Sequence, residues 1–116
     1  MFPAERIQAR LYALALSVIR FCRTLPRTDE ARETARQLRR ASTGASANYR
    51  ASRRGRSHAE WLAKLSVVVE ELDETDHWLS LLADARIAQP PQEMITECKE
   101  LLAILTKSVD TGRANR

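Results

Sequence analysis

The 116-residue chain holds three glycines, four prolines, two cysteines and six Phe, Trp or Tyr residues. So few glycines and prolines exclude a loop-rich or collagen-like chain. Gly-rich phosphate loops of the nucleotide-binding types are missing as well. Runs that alternate Val, Ile or Thr with polar residues are absent, which argues against sheet. No apolar run approaches the roughly 18 residues that a membrane span needs. Residues 11–19 imitate a short signal core, but Arg20 and Arg23 follow at once without a small-residue cleavage site. The segment therefore reads as a helix of a soluble, cytoplasmic protein. Two cysteines, Cys22 and Cys98, each on an apolar helical stripe, read as buried free thiols. No nucleophile stands at useful spacing from a base, and no Cys/His cluster exists, so enzymatic activity is not expected. Glu74-x-x-His77 is half of a di-iron bundle motif; without a second copy no metal or other cofactor is expected.

What remains is rich in Ala, Leu, Arg and Glu, the composition of a helical chain. Four amphipathic segments are legible. The first runs from about Ala4 to Arg23, with Ile7, Leu11, Leu14, Val18, Phe21 and Cys22 inside about a 100° arc. Pro26 stops it, and Thr28 caps a second helix reaching about Arg53. Its inner face is small: Ala31, Ala35, Leu38, Ala41, Ser42, Ala45 and Tyr49. Gly44 within it suggests a bend or a close backbone contact. Ser57-His58-Ala59-Glu60 is a capping box opening a third helix, His58 to about Arg86. Its core stripe reads Trp61, Leu65, Val68, Leu72, Thr75, Leu79 and Ala83. The fourth helix runs from Pro91 to about Val109, with Asp110 to Arg116 expected to fray. Short connections between four such helices predict an all-α, antiparallel up-and-down four-helix bundle in one domain spanning 1–116.

Charge is divided unevenly. Residues 1–56 hold 13 Lys/Arg and 4 Asp/Glu, while residues 57–116 hold 6 and 11, so +9 and −5 make the net +4. On a continuous second helix Arg32, Arg36, Arg39, Arg50 and Arg54 share about a 60° arc, flanked by Arg40 and Arg53, with Arg56 beyond. One reading is a solvated or ion-paired face. The other is a surface for the phosphates of RNA or DNA, since a row of guanidiniums suits sequence-independent binding. Asp76 lies at the edge of the third helix's apolar stripe and needs a partner; Arg39 or Arg40 is the expected one. Tyr12, Leu16 and Ile19, with Val67, Trp78, Leu81 and Leu82, form second apolar strips away from the core, which points to a subunit interface. Basic and acidic faces on one chain suit head-to-tail association.

An ordered set of residues also carries a resemblance. Gln37-Leu38-Arg39-Arg40-Ala41, Asn48, Ser57-x-x-Glu60-Trp61, Leu65-Ser66 and Leu72-x-Glu74-x-Asp76-x-x-Leu79 resemble the bacterial four helix bundle protein family. That family includes proteins encoded in intervening sequences of large-subunit ribosomal RNA genes and the accessory variability determinant of diversity-generating retroelements. The resemblance implies a cytoplasmic bundle assembled as a homopentamer. For its retroelement members it implies nucleic acid and a reverse transcriptase as partners. Arg39 and Arg40 match the family's paired arginines, and Glu74 and Asp76 its acidic positions, so the resemblance implies a structural ion pair among them. Ser46 stands where many relatives have Pro, and Arg50-Ala51-Ser52 where they have Ala-Glu-Gly, which makes the second helix here straighter and more basic.

Overall fold

The structure, a computed structural model, describes residues 3–115. Four helices follow one another: α1 (Ala4–Cys22), α2 (Asp29–Ser52), α3 (His58–Asp84) and α4 (Gln92–Ala114). Each packs against its neighbours in the order α1, α2, α3, α4 and back to α1, and the diagonal pairs do not approach. The result is the expected four-helix bundle, 46 × 21 × 20 Å along its principal axes. No strand occurs among the described residues.

Helix starts follow the capping chemistry of the sequence. Thr28 Oγ1 accepts from Ala31 N at 3.2 Å, and Ser57 Oγ accepts from Glu60 N at 3.1 Å. Each satisfies an N–H that the first turn would leave orphaned. α1 and α4 begin behind Pro3 and Pro91 without a side-chain cap. The end of α3 uses a full Schellman closure: Ile87 N bonds Leu82 O at 3.0 Å and Arg86 N bonds Ala83 O at 3.1 Å. Arg86 takes the left-handed φ of 59° that this closure demands, so the helix ends at Asp84 rather than at Arg86.

The core is built from the stripes read in the sequence, with instructive differences. Ile7, Leu11, Leu14, Val18, Leu38, Leu65, Val68, Leu72, Leu79, Cys98, Leu101 and Leu105 are all buried. Leu82, expected on the outer strip of α3, is wholly buried. It follows Leu79 by three residues and Thr75 by seven, which keeps it on the core face, and the closing turn folds over its carbonyl. Ala83 is correspondingly half-exposed. At the other end of α3, Leu62 is the buried residue and Trp61 lies half-exposed over α4. α4 runs five residues beyond Val109 instead of fraying there, to Ala114. Val109 and Gly112 are buried, and a Cβ at Gly112 would stand 2.8 Å from the Trp61 ring. His58 Nε2 meets Gly112 O at 2.8 Å and ties the last turn down. Arg116 lies outside the described residues.

Candidate functional site

The helix order turns the uneven charge into two layers. α1 and α2 form one layer and carry the basic half of the sequence; α3 and α4 form the other and carry the acidic half. The arginines of α2 differ sharply in what they meet. Arg32 pairs with Asp29 at 3.1 Å and also donates to Arg27 O. Arg36 pairs with Glu33 at 2.7 Å and holds that carboxyl below its ordinary range. Both pairs are exposed one-turn contacts. Arg39 sits beside the Cys22 thiol. Arg53 donates to Gln8 Oε1 of α1 at 2.7 Å. Arg40, Arg50, Arg54 and Arg56 are exposed and have no carboxylate within salt-bridge distance among the described residues. The structure therefore gathers the unneutralised guanidiniums at the middle and C-terminal end of α2 and on the loop that follows.

The expected pair of Arg39 or Arg40 with Asp76 does not form. Asp76 is held by Lys99 of α4, whose Nζ stands 3.0 Å from Oδ1 and donates to Oδ2 at 3.3 Å. The acid that faces α2 is Glu71 instead. Five residues separate the two, about 140° around the helix, so they flank the core stripe on opposite sides. Glu74 points outward, exposed and without an ion pair among the described residues. Glu71 lies against Gly44, where a Cβ would be 2.5 Å from its Oε2. Partial burial there raises the Glu71 carboxyl, with Glu74 and Glu70 adding to the effect and Arg40 opposing it. Gly44 thus marks a close approach, and α2 continues through it as one helix.

Between α1 and α2 runs an open groove of about 710 Å³. Tyr12, Leu16 and Ile19 line it from α1, Thr43, Ser46 and Ala47 from α2, and Arg50 and Arg53 stand at one end. Tyr12 is 61% exposed and Leu16 36%. On the outer face of α3, Val67 and Leu81 are 37% and 40% exposed. Trp78 beside them is half-buried, its indole N–H enclosed without an acceptor among the described residues. Arg10, which periodicity does not single out, makes the strongest contact between the layers. It donates to both oxygens of Glu97, at 2.9 and 2.6 Å, and to Glu100 at 2.8 Å. Only the chain reversal that sets α1 beside α4 reveals this pairing.

No group of three or more His, Cys, Asp or Glu side chains among the described residues is placed to hold a metal ion. No helix among them is long and apolar enough to cross a membrane. Both cysteines are buried and unbridged.

Residues 6–107 match the family model described as 23S rRNA-intervening sequence protein. The fold is similar to that of a protein of unknown function from the S23 ribosomal protein family of Bacteroides thetaiotaomicron VPI-5482. That match has a TM-score of 0.81 at 21% identity and covers 92% of this chain and 97% of that one. No curated protein matches.

Proposed function

This chain belongs to the 23S rRNA-intervening sequence protein family, and from that premise and its charge layout we propose a non-enzymatic, self-associating helical bundle whose arginine-rich face holds nucleic acid by its phosphates. The observation that carries the reading is the set Arg40, Arg50, Arg54 and Arg56, exposed on the basic layer with no carboxylate within salt-bridge distance among the described residues. Guanidiniums without carboxylate partners are free to release counterions from a phosphate backbone, which needs no base contact. Tyr12 is the only exposed Phe, Tyr or Trp among the described residues, so binding through the backbone is favoured over base stacking. The resemblance to homopentameric relatives and the exposed apolar residues Tyr12, Leu16, Val67 and Leu81 support self-association as a ring, in the cytoplasm. A reverse transcriptase is proposed as a partner on the resemblance alone.

Electrophoretic shift with duplex DNA and with RNA, at low and at moderate salt, tests the nucleic-acid half. Binding that weakens steeply with salt is expected, and R54E/R56E, outside the α1–α2 groove, should abolish it while leaving the assembly intact. Absence of a shift with either polymer at low salt refutes it.

A second reading is an assembly or adaptor protein whose arginine face is used up by acidic surfaces of other copies or of a protein partner. The outward Glu74 on α3, without an ion pair among the described residues, favours it. Under that reading R54E/R56E breaks the oligomer.

A further inference from the structure

We propose that the cavity at the turn between α1 and α2 binds a short chain of phosphates, two or three in a row, as on a nucleotide or at the 5′ end of an RNA. The inference goes beyond the reading above, which rests on the arginines toward the other end of α2, and either can fail without the other.

The chain reverses between Cys22 and Asp29 and leaves an open cavity of about 710 Å³ beside the first turns of α2. Five arginines line it. Arg23 and Arg27 come from the connecting segment, and Arg32, Arg36 and Arg39 from α2. The last three are spread over about 10 Å of helix. Arg23, Arg27 and Arg39 have no carboxylate within salt-bridge distance among the described residues. The carboxylates in the lining are Asp29 and Glu33. They pair with Arg32 and Arg36 as exposed one-turn contacts. Such pairs hold weakly, so these guanidiniums can turn to a phosphate that offers more acceptors. Arg32 also donates to Arg27 O at 3.2 Å, which ties the connecting segment to the helix.

Charge and shape choose the ligand. Five guanidiniums against two carboxylates leave the lining an excess of three positive charges. A single phosphate monoester carries about two negative charges and leaves part of that excess unmet. A chain of two or three phosphates meets it, and the planar fork of each guanidinium fits paired phosphate oxygens. The buried residues Cys22, Ala31 and Ala35 give the cavity an apolar floor, with Arg39 beside the Cys22 thiol. Charge-assisted hydrogen bonds gain strength over such a floor. A duplex backbone runs along a rigid convex rod and suits an outward row of arginines. The free end of a phosphate chain can enter a cavity.

Calorimetric titration of the whole chain at low salt, with inorganic triphosphate, pyrophosphate and orthophosphate, tests the site. Triphosphate should bind about tenfold more tightly than orthophosphate, or better. R23Q/R39Q, at exposed positions, should weaken triphosphate by about tenfold or more, since each change removes a charge-assisted contact. D29N/E33Q should tighten it, and R54E/R56E should leave it unchanged. Circular dichroism confirms that each variant keeps its helices. An RNA strand bearing a 5′-triphosphate, set against the same strand with a 5′-hydroxyl, separates the two sources of ligand. A gain from the end group that R23Q/R39Q removes assigns the site to RNA ends. Triphosphate binding without that gain assigns it to free nucleotides or oligophosphates. Equal binding of the three anions, or none, overturns the site. So does triphosphate binding that R54E/R56E removes and R23Q/R39Q keeps. A shift with RNA or DNA that persists in either case leaves the reading above standing.

Discussion

Arg10 and Glu97 stand 87 residues apart in the chain and meet through two side-by-side hydrogen bonds, Nε to Oε2 at 2.9 Å and a terminal guanidinium nitrogen to Oε1 at 2.6 Å. They are the main polar tie between α1 and α4. Side-chain exposures of 20% and 32% place the pair between a surface bridge and a buried one. R10A should therefore destabilise the fold by about 1–2 kcal/mol. Urea unfolding would show it as a lower midpoint with an unchanged slope. R10K should recover only part of the loss, because an ammonium cannot reproduce the fork.

Gly44 and Gly112 both sit inside helices, yet replacement by alanine should act in opposite directions. Each gains about 1 kcal/mol of helix propensity. At Gly44 the obstacle is the carboxylate tip of Glu71, which can swing into water. G44A should be stabilising by up to about 1 kcal/mol. At Gly112 the new methyl meets the Trp61 ring at 2.8 Å and Leu62 Cδ1 at 3.0 Å, both anchored in packing. G112A should be destabilising, and thermal melts of the two variants should move apart.

Glu71 gives a pH signature. Its carboxyl is raised in the folded protein, mainly by burial. The folded state therefore binds the proton more tightly than the unfolded state. The contribution to stability is fully present below the unfolded value and is lost as pH rises through the folded one. E71Q should stabilise the protein at neutral pH, and that gain should shrink to nothing as the pH is lowered past the ordinary glutamate range. In the G44A background the effect of E71Q should be smaller, since the displaced carboxylate is already hydrated. Denaturant midpoints across a pH series would check both.

Burial pushes the Cys98 thiol up to about 12, and its Sγ–H donates to Leu72 O at 3.5 Å. Cys22 is raised by the same cause, although the nearby Arg39 opposes it. Neither should react with a disulfide reagent at mildly alkaline pH in the folded protein. Both should titrate promptly in denaturant.

Arg86 occupies a left-handed position where a side chain is strained, at φ 59°. R86G should stabilise the end of α3 by about 0.5–1 kcal/mol, measurable by thermal unfolding.

The helices were legible because their signals are local. Thr28 and the Ser57–Glu60 box announce starts, Pro26 and Pro91 announce breaks, and the small face of α2 announces close packing. What escaped depends on which neighbour lies on which flank. Asp76 and Glu71 are both carboxylates at the edges of the same stripe; the order of helices around the bundle sends one to Lys99 and the other to Gly44. Arg10 needs α4 beside it before it has any meaning. Leu82 sits where the core stripe and the outer strip are a single side chain apart, and the closing turn decides for the core. Gly112 resembles a helix stop, yet here it makes room for Trp61. Among the arginines, the row on α2 was visible, but which of its members Asp29 and Glu33 neutralise was not.

The division into a basic and an acidic layer also governs how dissolved molecules attract one another. A uniformly cationic protein of net charge +4 would repel its copies at low ionic strength, and added salt would weaken that repulsion. This molecule is a dipole, so neighbouring copies can turn opposite faces together and attract. Added salt then screens attraction, and solubility should rise with the first additions of sodium chloride.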